Sequence, residues 1–367
     1  MSTSAGNAGQ LCGPFCLPFG SPGFLPDFFK RAVSRSSGVG FNILDVARNV
    51  PWLLEFARNC SRGNHVTNSA AMLQLAHESV AALEALMLRH DIDFGYRRNC
   101  GKLYLYDSLR ALTSETQLIA LRREIGYDVQ TLDKNECLKI EPLLNRSKFD
   151  FAGGIYAPES SVGDCALFTR RLARSLQEKG VDFKYRSQAR NIVYRQGKVQ
   201  AVHTEDAVID ADIVVLSTAV HIKELLPRAL RSKYLVAPLK GYSLTLPMHN
   251  KGPQGTITDA KRAAAFSVLG NRLRITGGAY LSSSTSVPAQ EVQRLLEIGK
   301  SWFPGLARYD IEADEGWAGL RPVTPRSVPY IGNTSVAGLM LNTGHGGFGW
   351  TCAAASAQRL LSHLEGR

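Results

Sequence analysis

The glycine-rich segment at 344–351 is the part of the sequence best suited to hold a ligand. It follows an apolar run at 339–341 that predicts a strand, and it precedes residues 352–364, which predict a helix. Glycines let the backbone approach a bound group closely, and a helix N-terminus presents free N–H groups and a partial positive charge. The segment therefore predicts a site for an anionic or electron-rich group, and a tight structural turn is the alternative.

Two polar side chains near this segment could act on such a ligand. Arg321 follows Trp317 and directly precedes Pro322, and its planar guanidinium matches a carboxylate through two parallel hydrogen bonds. A structural ion pair is the alternative for this arginine. His345 lies within the glycine-rich segment, where it could polarise a carbonyl, line the pocket or serve only as a structural histidine.

The elements that must position these residues predict two interleaved domains. The first shows a strand, a helix after Asp164, a strand, a hairpin turn and a strand buried on both faces (153–157, 165–179, 181–185, 195–198 and 213–216). This order is typical of the middle of a nucleotide-binding α/β domain. We assign to that domain the segments 1–35, 146–230 and 316–367.

The second domain is assigned to 36–145 and 231–315. Within it, 69–90 has the three-to-four spacing of a helix with one buried face. Short strands and a helix at about 288–302 predict an antiparallel sheet covered by a helix. The fold class is therefore α/β plus α+β, a Rossmann-like dinucleotide-binding domain interleaved with an antiparallel-sheet domain.

Composition excludes several classes of protein. The seven cysteines are scattered without a Cys-x-x-Cys pair, so neither a disulfide framework nor a zinc site is expected and a reducing cytoplasm fits. The net charge is +11, but the basic residues are dispersed, so nucleic-acid binding is not expected. No apolar run reaches the roughly 18 residues that would span a bilayer.

Three stretches of the chain resemble a known family. They are residues 4–10, 238–247 and 316–351, which include Lys240-Gly241-Tyr242-Ser243-Leu244 and Gly319-Leu320-Arg321-Pro322. These stretches are similar to the FAD-dependent amino acid oxidoreductases of the D-amino-acid-oxidase and glycine-oxidase group. Within that group, the similarity is greatest to the bacterial D-amino acid dehydrogenase small subunits.

The resemblance implies that FAD is bound by two sets of residues. The first set would lie along the flavin and its ribityl chain, and the second would stabilise the negative charge that reduced flavin carries. The two sets are Ser4, Asn7, Ala8, Gly9 and Gln10, and then Gly344, Gly346, Gly347, Gly349, Trp350 and Thr351. For the first set, a flexible N-terminus is the alternative.

The resemblance also implies roles around the substrate. Arg321 would hold the substrate carboxylate, His345 would line the pocket without donating a proton, and Tyr242 is a further pocket candidate. The reaction would oxidise the Cα–N bond of a D-amino acid to an imine, which water converts to a 2-oxo acid and ammonia. Electrons would pass to a respiratory acceptor, from a cytoplasmic protein in peripheral contact with the inner membrane.

Two alternatives stay open at this point. One is a subunit similar to the glycine, sarcosine or hydroxyproline oxidases. The other is a flavin-free chain without activity of its own, or one part of a split protein completed by a second chain.

Three departures from the family pattern favour the second alternative. No Gly-x-Gly-x-x-Gly turn follows a strand, so we expect an uncovered apolar face and an unpaired strand edge. Ala219 stands where the family has glycine, and Arg326 stands where aspartate is common.

Overall fold

The structure, a computed structural model, describes residues 3–24, 26, 38–312 and 315–366. Residues 1–2, 25, 27–37, 313–314 and 367, which fall in both predicted domains, lie outside the described residues. The α-helices are α1 (Ile43–Arg48), α2 (Val50–Asn59), α3 (Arg62–His90), α4 (Leu109–Thr113), α5 (Thr116–Glu124), α6 (Lys134–Ile140), α7 (Cys165–Glu178), α8 (Ile222–Leu225), α9 (Ala289–Trp302) and α10 (Gly349–Leu364).

The strands, in chain order, are β1 (Gln10–Leu11), β2 (Val39–Phe41), β3 (Lys102–Tyr106), β4 (Gln130–Asp133), β5 (Gly153–Ala157), β6 (Ser161–Val162), β7 (Ala189–Arg195), β8 (Lys198–Thr204), β9 (Val208–Asp210), β10 (Val214–Leu216), β11 (Ala237–Pro247), β12 (Thr256–Asp259), β13 (Ala264–Leu269), β14 (Arg272–Leu281), β15 (Trp317–Val323), β16 (Tyr330–Asn333) and β17 (Leu339–Thr343). Short 3-10 turns connect several of them, including Thr3–Ala5, Gly13–Phe15 and Gly346–Phe348.

A large sheet carries the main apolar core. Among the described residues, nine strands form it in the order β15-β11-β14-β13-β12-β3-β5-β4, with β2 beside β14. Alternate residues of its strands, such as Leu244, Leu273 and Ile275, join α9 residues Leu295 and Trp302 in one buried cluster. The predicted antiparallel sheet with a covering helix is confirmed for the strands β11 to β15. β3 beside β12 and β2 beside β14 add parallel pairs, so the complete sheet is mixed.

A smaller sheet leads to the glycine-rich segment. β17 lies between β10, which runs parallel to it, and β16, which runs antiparallel. After β17 the chain turns into α10, which packs along α3, where the Ala355 amide donates to Ser79 Oγ at 3.3 Å. α3 is the helix predicted at 69–90, although it begins earlier, at Arg62. An isolated bridge between Val323 of β15 and His345 places the segment before α10 beside the large sheet.

Several expectations about the first domain need correction. β5, assigned from the sequence to the nucleotide-binding unit, pairs with β3 and β4 in the large sheet. The strand predicted at 181–185 is wrong, since these described residues form no strand and Tyr185 is 66% exposed. Alternation in sequence had suggested a strand, but a strand also needs a neighbour for its N–H and C=O groups.

The expectation that 213–216 is buried on both faces is also wrong. β10 is the end strand of its sheet in the described part of the chain, paired only with β17. Ile213 is 51% exposed and Val215 is 37% exposed, whereas Leu216 is 3% exposed. In the described part of the chain, β10 is therefore covered on one face and has one edge that pairs with no other strand. This agrees with the expected unpaired strand edge.

Candidate functional site

The two segments expected to bind the cofactor meet in space. Trp350 Nε1 donates to the Gly9 carbonyl at 3.3 Å, and Thr351 Oγ1 donates to the Gln10 carbonyl at 3.3 Å. Gly9 has φ +69°, and a Cβ there would lie 2.8 Å from the Gly163 carbonyl oxygen. Only glycine fits this close approach to Gly163. The two hydrogen bonds from Trp350 and Thr351 place the loop next to the start of α10.

Local hydrogen bonds shape the loop at residues 4–10. Asn7 Oδ1 accepts from the Gly9 amide at 2.8 Å, which closes a tight turn around the half-buried Ala8. Ser4 lies in the turn at Thr3–Ala5, and both Ser4 and Asn7 reach the buried thiol of Cys165 at the start of α7. The loop is therefore an ordered part of the fold, and the alternative of a flexible N-terminus does not hold for it.

The glycine-rich turn lies against Arg321 and Phe19. A Cβ on Gly347 would lie 3.7 Å from Arg321 Cδ and 3.4 Å from the ring of Phe19, and a Cβ on Gly346 would lie 3.2 Å from the same ring. Gly344 has a structural role, since its φ is +87° and a Cβ there would lie 2.4 Å from Thr324 Cγ2.

The N-terminus of α10 carries no side-chain cap among the described residues. The helix begins at Gly349, directly after the 3-10 turn Gly346–Phe348. The N–H groups at this end and the positive end of the helix dipole suit a negatively charged or electron-rich ring. This helix end lies directly after the turn that contacts Arg321.

Arg321 is a desolvated cation without an acidic partner. Its Nη1 donates to the Gly278 carbonyl at 2.8 Å, and its guanidinium lies over Gly241, where a Cβ would be 2.3 Å from Nη1. Among the described residues no carboxylate pairs with it, and burial alone lowers its pKa to about 10. The group stays cationic at neutral pH, and the remaining N–H groups can take a carboxylate.

His345 is held in one neutral form. Ser356 Oγ lies 2.8 Å from His345 Nε2 and donates its own hydrogen to the Cys352 carbonyl at 2.8 Å. With the single hydroxyl hydrogen assigned to the Cys352 carbonyl, this pattern assigns the proton of His345 to Nε2 and leaves the lone pair on Nδ1. Burial lowers the pKa of His345 to about 4, so at neutral pH the ring cannot supply a proton.

The structure corrects the placement of Tyr242 in the pocket. Its side chain is 4% exposed and packs edge-on against Tyr280, with ring centroids 5.6 Å apart. Tyr242 and Gly241 are adjacent in β11, so they face opposite sides of the sheet. Arg321 lies over Gly241. Tyr242 therefore points to the opposite face of the sheet, into the core with Leu244, and burial raises its pKa to about 12.

Sequence reasoning missed three residues that shape the site. Phe19 lies against the glycine-rich turn and stacks on Phe348, with ring centroids 6.1 Å apart. The several phenylalanines near position 19 in the sequence were the available signal. Lys102 and Arg274 reach the loop at 4–10 from the large sheet, to Gln10 and Asn7. Nothing local in the sequence marks these two cations as buried, because their positions depend on strand pairing.

Comparisons with known proteins agree on one family. The family model for FAD dependent oxidoreductases matches residues 1–363. The D-amino acid dehydrogenase of Allorhizobium ampelinum is 32% identical over 370 residues, covering 100% of this chain and 87% of the relative.

Solved structures show the same fold. Glycine oxidase from Geobacillus kaustophilus aligns with a TM-score of 0.73 at 20% identity, covering 100% of this chain and 85% of the other. L-proline dehydrogenase from P. horikoshii aligns with a TM-score of 0.70 at 16% identity, covering 82% and 80%. Within the described residues, no helix is both long and apolar enough to cross a bilayer.

Proposed function

Because the chain belongs to the family of FAD-dependent oxidoreductases, we propose that it oxidises D-amino acids to 2-oxo acids and ammonia. One observation carries the choice of substrate class: Arg321, a half-buried guanidinium that has no acidic partner among the described residues, lies beside the glycine-rich turn at Gly347. A substrate carboxylate would supply the missing negative charge. The D-configuration is supported by the relative from Allorhizobium ampelinum, which is a D-amino acid dehydrogenase.

The residues present fit the redox ring of FAD. The start of α10 would supply N–H donors and positive potential, and the small residues Gly346 and Gly347 and the backbone of Gly9 lie next to it. When bound, FAD takes two electrons and the α-hydrogen from the substrate. The helix end favours the negative charge that the ring then carries.

Protein groups would orient the substrate rather than transfer protons. Arg321 would hold the carboxylate by two hydrogen bonds, while its third contact, to the Gly278 carbonyl, keeps the guanidinium in place. His345, neutral with its Nε2–H on Ser356, would offer Nδ1 as an acceptor only. The released imine hydrolyses in water, so no protein base is needed for that step.

We also propose a respiratory electron acceptor and peripheral contact with the cytoplasmic face of the inner membrane. The net charge of +11 supports contact with anionic lipid, since a basic surface is attracted to such membranes. Sedimentation with vesicles of anionic lipid, but not with neutral ones, is the expected result. Equal sedimentation with both, or with neither, would remove this part of the proposal.

The test of the main proposal uses the chain with FAD. The protein is mixed with FAD, passed through gel filtration and titrated without oxygen with D-alanine, L-alanine, glycine, sarcosine and hydroxyproline. Retained flavin absorbance that D-alanine bleaches fastest is expected. Bleaching by glycine or sarcosine alone would favour an oxidase of that kind, which the fold shared with glycine oxidase makes the second candidate. A colourless eluate would mean that this chain does not hold FAD by itself and needs a second chain.

A further inference from the structure

We propose that Lys102 and Arg274 form a cationic floor beneath the loop at residues 7–10, and that this floor stabilises negative charge on the redox ring of the bound cofactor. The inference rests on the proposed function, since it concerns the same FAD site. It assigns two residues from the large sheet to the site as positioning residues, acting through the loop and through their charge.

Both cations are buried on one face of the large sheet. Lys102 is 3% exposed and Arg274 is 7% exposed. Their neighbours along the strands, Leu103, Leu273 and Ile275, point to the other face and join the core beneath α9. Because side chains alternate along a strand, Lys102 and Arg274 project to the side that holds the loop.

Each cation is held by a neutral oxygen of the loop. Lys102 Nζ donates to Gln10 Oε1 and lies 5.2 Å from the ring centroid of Phe15. Arg274 Nη1 donates to the Asn7 carbonyl at 2.7 Å, and its buried Nε has no hydrogen-bond partner among the residues that the structure describes. The amide of Gln10 also donates to Ser267 Oγ at 3.1 Å, which fixes the Gln10 side chain above the sheet.

The floor has an excess of positive charge. In the part of the chain that the structure describes, neither Lys102 nor Arg274 has a carboxylate within ion-pair distance, and their acceptors are an amide oxygen and a carbonyl oxygen. Asp164 acts on Arg274 from beyond ion-pair distance and lies 3.7 Å from Arg272. On the same face, the buried hydroxyls of Thr256 and Thr258 also lack partners within the described ranges. Burying a cation against neutral groups is costly, so two such cations together create a site that favours an anion.

The excess charge lies under the part of the loop that meets the cofactor turn. Lys102 holds Gln10 and Arg274 holds Asn7. In the same loop, the carbonyls of Gly9 and Gln10 accept hydrogen bonds from Trp350 and Thr351 at the start of α10. A ring bound at this turn gains negative charge on reduction. Fixed cations in a buried environment act on that charge far more strongly than they would in water.

The experiment measures the charge effect separately from catalysis. Lys102→Met and Arg274→Met are loaded with FAD, and the midpoint potential is determined by equilibration with a reference dye, with sulfite affinity as a second measure of positive charge at the ring. We expect each variant to lower the equilibrium constant for reduction about tenfold, or about 30 mV for a two-electron couple. Sulfite should bind correspondingly more weakly. Lys102→Arg and Arg274→Lys should retain most of the wild-type potential.

A control separates local charge from total charge. Lys300→Met removes an exposed lysine from α9, on the opposite face of the same sheet, and should leave the potential unchanged. If Lys102→Met does not retain FAD, Gln10→Glu keeps the shape of the loop and supplies Lys102 with a carboxylate. It should lower the potential by a similar factor.

The outcomes are distinct. The inference would be overturned if Lys102→Met and Arg274→Met, or Gln10→Glu, kept the wild-type potential and sulfite affinity. These residues would then have a purely structural role. An equal shift in Lys300→Met would overturn the inference as well. If the wild-type chain holds FAD but D-amino acids do not reduce it, the proposed function fails while the dye and sulfite measurements still decide the inference.

Discussion

Replacing Arg321 by methionine tests the proposed substrate site most directly. Methionine keeps much of the side-chain volume but cannot bind a carboxylate. The guanidinium has no acid to compete with the substrate among the described residues, and burial strengthens its electrostatic interaction. Losing one partner of such a pair costs about 3 kcal/mol. We therefore expect kcat/KM for D-alanine to fall about 100-fold, since each 1.4 kcal/mol is about tenfold.

The assay compares two substrates that differ in one group. D-Alaninamide lacks the carboxylate but keeps the amine and the α-hydrogen, so its turnover should change little in Arg321→Met. Loss of the hydrogen bond to the Gly278 carbonyl should lower the free energy of unfolding by about 1 kcal/mol, which urea titration of the FAD-loaded protein would report. Arg308→Met, which removes an exposed arginine, should change neither quantity.

An equal loss of kcat/KM for D-alanine and D-alaninamide would refute the reasoning. It would show that Arg321 supports the fold or the flavin and does not bind the carboxylate. Unchanged turnover of D-alanine would refute it too. Arg321→Lys should lie between the wild type and Arg321→Met, because an ammonium supplies charge without the planar pair of donors.

Three further predictions follow from other described residues. His345 has a pKa of about 4 in the fold and about 6.5 when unfolded, so its contribution to stability is full above pH 6.5 and is lost as pH falls towards 4. As the pH falls from 7 to 4.5, the free energy of unfolding of the wild type should therefore decrease by about 2 kcal/mol more than that of His345→Gln. An equal decrease in both proteins would contradict this prediction. Ala219 has φ +52°, so Ala219→Gly should raise the free energy of unfolding by about 0.5 kcal/mol in urea, whereas a decrease would mean that the backbone is not strained there. Ile213→Lys, beside the open edge of β10, should reduce concentration-dependent light scattering, whereas Leu88→Lys, at another exposed site, should not; equal effects would rule out association through the edge.

The positions of several elements could be predicted because the signal is local. The spacing of Met72, Leu75 and Leu83 is that of a helix face, and α3 buries these residues. Asp164 predicted the start of a helix, and its side chain accepts from the Leu167 amide at 3.0 Å at the start of α7. The strand at 181–185 failed because alternation cannot show whether a neighbouring strand exists.

By itself, the sequence determined the family and the glycine-rich turn before α10, since these depend on residue type and on contacts within a few positions. Tertiary structure alone decided that Arg321 has no acidic partner among the described residues, that Tyr242 points away from it and that Lys102 and Arg274 lie under Gln10 and Asn7. Strands far apart in the chain bring these groups together. The face on which a side chain projects, and the charge it meets there, follow from pairing register and burial, which no local pattern records.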